Sequence, residues 1–196
     1  MEERVRLEPD TTLCPVPIVL ITCGAGAGAN VFSLNRIASC NAEPPMLSIS
    51  VRPARASHAL IAQTGEFVVN IPWPEMELVS DFVGSTTARE TDKWRETGFT
   101  ALPAEHIAPP LLAECPVIIE CRVQQSLRLG SHTLFVAQVL AVHALRCVVG
   151  DRGEVDFALA RGGLPYRAGP VRERPVRDFR PERLLAQVRE WRASRS

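Results

Sequence analysis

Two long β-forming runs, residues 117–129 and 133–149, are separated by little more than Gly130-Ser131. Valine, isoleucine, leucine and phenylalanine recur through them, and Gly-Ser suits a tight turn, so the pair predicts a hairpin. A hairpin commits the chain to antiparallel pairing. The second arm, TLFVAQVLAVHALRCVV, is too long for one flat strand and predicts a bend or a bulge.

The remaining segments fit the same plan. Residues 16–23, VPIVLITC, form a continuous apolar run that reads as a buried strand. In 46–51, Leu47, Ile49 and Val51 alternate with Ser48 and Ser50, the pattern of a half-buried strand. Further strands are expected at 67–71 and near 156–160. Residues 31–45 are ambiguous and stop at Pro44-Pro45. Short helices are expected at 56–64, closed by Gly65, and at 74–83, with Pro74 in the first turn and Leu78, Val79, Phe82 and Val83 on one side. From Pro181 a tail helix places Leu184, Leu185, Val188 and Trp191 at helical spacing, fit to pack on the barrel or on a partner subunit. Residues 1–14 read as an exposed arm and 84–95 as a polar surface loop. Five or six strands and three short helices do not alternate as βαβα units would. The expected class is mainly β, an antiparallel barrel with a few capping helices. Sixteen prolines also disfavour a helix bundle.

The 196 residues suit one domain. A formal net charge of zero removes any global pull toward nucleic acid or an acidic membrane. No window approaches the roughly 18 apolar residues of a membrane span, and MEERVRLEPD lacks an apolar signal core, so a cytoplasmic protein is expected. Six cysteines without a C-x-x-C pair read as reduced thiols. His143 and Cys147 share a strand face in this reading, but two ligands do not make a metal site, and no metal is expected.

Gly24-Ala25-Gly26-Ala27-Gly28-Ala29 follows a strand and fits G-x-G-x-x-A. The rest of a dinucleotide fold is missing: Arg52 stands where an acidic residue would end the next strand, and Pro44-Pro45 interrupts the approach. The stretch reads better as a flexible loop of small residues. Arg55 and Ser57 stand at a helix start, with His58 beside them. A guanidinium, a hydroxyl and a helix N-terminus make a ready phosphate site, although an N-cap serine beside a solvated arginine gives the same pattern.

Seven segments then occur in order: CPVPIVLITCG, GANVFSLNRIASCNAEPPMLSISV, RASHALIAQTGEFVVNIP, DKWRETGFT, CPVIIECRV, GSHTLFVAQVLAV and GGLPY. In these the chain resembles the flavin reductase-like family, and within it the flavoredoxin branch. The resemblance implies a Greek-key-like, FMN-binding split barrel over residues 15–170, between the arm and a tail at 171–196. It implies a homodimer with the flavin near the interface. It places Asn30 against the flavin and Arg36 over the ring, where an aromatic residue is more usual. Ala38, Ser39, Cys40 and Asn41 would meet the pyrimidine edge, and Ser50 and Val51 would line the slot. Arg55, Ser57 (for the commoner threonine), His58 and Lys93 would hold the phosphate, Lys93 from a mobile loop. His132, in a Gly-x-His pattern, would face a nicotinamide or an acceptor. The implied activity passes electrons from NADH or NADPH through FMN to a flavin, a quinone, ferric iron or a protein. The alternatives are an FMN electron carrier without nicotinamide activity and a barrel that has lost its flavin.

Overall fold

The computed structural model describes residues 4–6, 8–11, 16–156, 166–167 and 181–194. In chain order the strands are β1 (Val16–Pro17), β2 (Val19–Cys23), β3 (Asn30–Leu34), β4 (Ile37–Asn41), β5 (Met46–Val51), β6 (Glu66–Ile71), β7 (Ala101–Leu102), β8 (Leu111–Leu112), β9 (Val117–Arg128), β10 (Thr133–Ala144) and β11 (Tyr166–Arg167). The helices are α1 (Ala56–Thr64), α2 (Glu77–Ser85), α3 (Lys93–Thr97) and α4 (Pro181–Ala193).

The hairpin of β9 and β10 is the spine of the molecule. Its register runs from Thr133 opposite Arg128 to Ala144 opposite Val117, with shifts between Val136 and Ala137 and between Val139 and Ala141. Those irregularities are the expected bulges, and they bend the two strands. The second arm ends sooner than its composition suggests: after Ala144 the chain enters a 3-10 turn at Arg146–Val148. Strands then add on both sides to give the order β3-β2-β6-β9-β10-β5-β4. Every pairing in this sheet is antiparallel. The ambiguous 31–45 stretch supplies the edge strand β4 and most of β3.

The sheet curls, and its central strands are buried on both faces. Val19, Ile21 and Cys23 of β2 join Phe32, Ile49, Ile61, Phe67, Val69 and Phe135 in one core. Leu20 faces the other way, into a second core with Val68, Val79, Phe82, Val83, Leu112, Leu184 and Val188. The helices α2 and α4 cover that second face. Double burial explains why 16–23 reads as one unbroken apolar run. Within the second core Asn70 is fully buried. It donates to the Leu20 carbonyl at 3.1 Å and the Thr22 hydroxyl at 3.3 Å, and accepts from the Leu112 amide at 2.9 Å.

Helix α1 forms as expected: the Gly65 amide reaches the Ile61 carbonyl at 2.8 Å, and its φ of 69° suits a left-handed cap. The 74–83 segment divides into a 3-10 turn at Pro74–Met76 and α2. The polar stretch 84–95 is a loop only in part, because its end becomes α3, opened by Asp92, whose carboxylate accepts from the Arg95 amide at 3.1 Å. The expected strand at 156–160 lies, beyond Asp156, outside the described residues. Among the described residues no helix is long and apolar enough to cross a membrane.

Glu120 of β9 is fully buried. Its carboxylate accepts from the Glu105 and His106 amides, each at 2.8 Å, and meets His143 Nε2 at 2.8 Å. Burial alone would raise its pKa, but these hydrogen bonds together hold it below the ordinary value. A folded pKa below the unfolded one adds stability above the unfolded pKa, and that stability is lost as pH falls through the folded value. Glu120→Gln turns an amide N–H toward a backbone N–H. It should cost about 2–3 kcal/mol at neutral pH, and the two urea-midpoint curves should converge in acid. A constant gap down to acid pH would refute this account of Glu120.

Candidate functional site

A cavity of about 740 Å³ opens between β3, the ends of β4 and β5 toward Arg36 and Arg52, the start of α1, and α2 with the loop after it. That volume lies within the range of small-molecule and cofactor sites. Arg55 is the N-cap of α1 and makes no side-chain capping bond; the His58 amide donates to the Arg55 carbonyl at 3.0 Å, and the Ala56 and Ser57 amides before it are left for another acceptor. Ser57 is therefore not the cap. It is the second helical residue, buried, and it lines the cavity with Arg55 and Ala56.

Lys93 lies on the cavity wall and is only 4% exposed. Its ammonium donates to the carbonyls of Val31 at 2.9 Å and Val83 at 2.7 Å. An ammonium has three donors, so one remains for a ligand. Burial first, and nearby Arg55 after it, bring its pKa down to about 8, with Cys23 opposing the shift. Burial likewise pushes the Cys23 thiol up to about 12, which leaves it a neutral core residue. The expectation of a lysine on a mobile loop is corrected: Lys93 is the first residue of α3 and is fixed by two backbone carbonyls.

Two polar atoms on the cavity wall lack partners. Asn30 Oδ1 and Ser80 Oγ are buried without a hydrogen bond among the described residues. Buried polar atoms are seldom left so, and an occupant with polar groups would satisfy them. Arg36, Arg52, Arg55 and Lys93 face the cavity against one lining carboxylate among the described residues, Asp81. The wall is thus cationic and hydroxyl-bearing, with apolar surface from Phe32, Val51 and Val83. This donor set fits a planar heterocycle that carries a phosphate.

The family model for the flavin reductase like domain matches residues 11–155. The chain belongs to this family. A Pyrococcus abyssi protein named only as uncharacterized is 32% identical over 129 residues, covering 66% of this flavin reductase-like chain and 74% of that protein. The FMN reductase (NADH) RutF of Stutzerimonas stutzeri is 27% identical over 128 residues, covering 63% and 69%. The flavoredoxin of Desulfovibrio vulgaris (Miyazaki F) superposes with a TM-score of 0.75 at 22% identity, covering 91% of this chain and 100% of that one. The shared fold is the mainly β split barrel of flavin reductases.

Of the residues singled out in the sequence, the cavity gathers Asn30, Arg36, Ser50, Val51, Arg55, Ser57, Lys93 and His132. It does not gather Ala38, Ser39, Cys40 and Asn41. These are exposed on the edge strand β4, where Asn41 donates to the Pro44 carbonyl at 2.8 Å. His58 also stands off the cavity. Its Nε2 lies 2.9 Å from the Thr133 hydroxyl, its ring packs on Phe135, and burial with Arg128 nearby lowers its pKa. The glycine stretch makes an exposed 3-10 turn at Gly26–Gly28 and lines no part of the cleft. Cys147 leaves the strand that was to align it with His143, because β10 ends first. Sequence reasoning missed Ser80 altogether. A serine between Val79 and Phe82, on the apolar side of a helix, was the available signal.

Lys93 is the only lysine in the chain. Protein labelled with ¹³C lysine should therefore give one side-chain signal set, titrating near pH 8 rather than at the ordinary 10.5. A midpoint near the ordinary value would mean that the ammonium is hydrated, not buried.

Proposed function

We propose that the cleft holds FMN and that the protein is an FMN-dependent oxidoreductase of the flavin reductase type. In this reading it takes electrons from NADH or NADPH and passes them to a flavin, a quinone, ferric iron or a protein. The observation that carries the reading is the pairing, in one family cleft, of the Arg55–Ser57–Lys93 cation and hydroxyl set with the partnerless Asn30 and Ser80. Bound FMN supplies the hydride-accepting and electron-transferring chemistry. The chain's own residues bind and orient. The α1 amides with Arg55, Ser57 and Lys93 hold the phosphate. Asn30 and Ser80 offer polar atoms to the ring system, and Phe32, Val51 and Val83 give it apolar walls. No protein acid or base is needed for hydride transfer.

FMN titration with fluorescence readout should show binding, and Arg55→Ala with Ser57→Ala should weaken it by on the order of 3–6 kcal/mol, a hundredfold or more. An unchanged affinity sinks the phosphate site. In the unliganded protein Lys93 is half-deprotonated at about pH 8. A bound phosphate favours the ammonium, so affinity should be level below that pH and fall above it. The likeness to a flavoredoxin favours a second reading, an electron carrier. Anaerobic mixing of the FMN-loaded protein with NADH and with NADPH separates the two. Bleaching near ~450 nm, a flavin property, supports the reductase, and no bleaching with either nucleotide leaves the carrier.

We also place the protein in the cytoplasm, where the five described free cysteines would stay reduced, and take it to be a homodimer. Edge strand β4 is exposed from Ala38 to Asn41, and Leu127 and Leu129 at the hairpin end are 57% and 54% exposed. A second copy covering this side would bring Ala38–Asn41 into a closed surface. Sedimentation at micromolar concentration should give twice 21.5 kDa. A monomeric mass refutes it.

A further inference from the structure

The cations of the cleft fall into two groups. Arg55 and Lys93 form one, at the starts of α1 and α3. Strand register builds the other. Val51 pairs with Thr133, so Arg52 and His132 leave β5 and β10 side by side. The Ser50 amide donates to the Arg36 carbonyl at 3.0 Å, which sets Arg36 beside them at the entry to β4. All three line the cavity. The grouping is also electrostatic: after burial, Arg36 and Arg52 are the charges that lower the His132 pKa, whereas Arg55 acts on Lys93.

Neither Arg36 nor Arg52 forms an ion pair among the described residues. His132 accepts or donates at Nδ1 with the Ser131 hydroxyl at 2.9 Å, which leaves Nε2 for a ligand. Two guanidinium groups and an imidazole held together with no ion-pair partner among the described residues repel one another, and an anion relieves that repulsion. Guanidinium forks match phosphate oxygens two at a time. FMN carries one phosphate, and the other cation group takes it.

We infer that Arg36, Arg52 and His132 form a second anion subsite, which takes the phosphate of a second ligand entering the cleft beside the flavin. The inference rests on the FMN reading for the word second, but the subsite itself does not. It reassigns Arg36 from stacking on the ring to holding an incoming anion. The phosphate could belong to the pyrophosphate of a nicotinamide dinucleotide or to a free flavin mononucleotide, and the two are separable.

Calorimetric titration of ADP, and separately of excess FMN, into FMN-saturated protein tests this with no turnover. ADP should bind once per chain, and Arg36→Gln with Arg52→Gln should weaken it at least tenfold. The same substitutions should weaken the first FMN equivalent by a smaller factor than they weaken ADP. Both arginines reach solvent, and an unchanged urea midpoint confirms that the variant folds. If ADP is silent while a second FMN equivalent binds with the same arginine dependence, the subsite stands and serves a free flavin. ADP binding that ignores both substitutions, no binding of either probe, or a parallel loss of the first FMN equivalent would each overturn the proposal. Should FMN not bind at all, the functional reading fails separately. ADP titrated into the flavin-free protein then decides the subsite by the same arginine dependence.

Discussion

The Lys93 ammonium holds three elements around one cavity. It donates to a carbonyl on β3 and to one on α2 while it opens α3. Placing that charge out of water is costly, and two backbone carbonyls return only part of the lost hydration. Burial lowers its pKa, so the site is held in a state that a further anion would favour. The cost of the fold at this point and its capacity to bind an anion have the same origin. A lysine hydrated on a loop would stabilise neither the β3–α2 junction nor a bound phosphate to the same degree.

The sheet makes that arrangement possible because it is covered twice. One face of β2 and β6 closes the inside of the curl, and the other lies under α2 and α4. This explains which parts of the fold could be read in the sequence. The β9–β10 hairpin announces itself by two apolar runs and a Gly-Ser turn, and α1 by the glycine stop at Gly65. The alternation in β5 is visible because one of its faces is less buried. The boundary between β1 and β2 is not visible, since burial on both faces removes the period-two signal. Helix α3 could not be read either. It spans five polar or amphipathic residues and exists because Asp92 caps it and Trp94 Nε1 reaches the Ala29 carbonyl at 2.9 Å.

The site shows the same division. Arg55 and Ser57 were legible as a pair because a helix start concentrates donors within a few residues. Lys93 was legible only through the family resemblance, since a lone lysine in a polar stretch carries no local signal. Ser80 and the convergence of Arg36 with Arg52 and His132 arise from packing and register between segments far apart in sequence. The edge residues Ala38–Asn41 show the reverse: they lie within the matched family region, yet the single chain leaves them exposed.

The tail completes the argument about α3. A five-residue helix is far below the length that persists alone. Beyond its cap, α4 holds it in place. Arg189 pairs with Glu96 at 3.0 Å, Arg192 donates to the Arg95 carbonyl at 2.8 Å, and Trp191 meets Phe99 edge to face. Gly98 ends α3 with a φ of 66°, and a Cβ there would sit 2.6 Å from Arg192 Nε. A bare backbone at this turn is what lets the arginine lie across it. Helix α4 thus packs on its own chain, and through α3 it fixes where the cleft's ammonium stands. Residues that the sequence sets apart as a tail buttress the helix that brings Lys93 to the wall of the site.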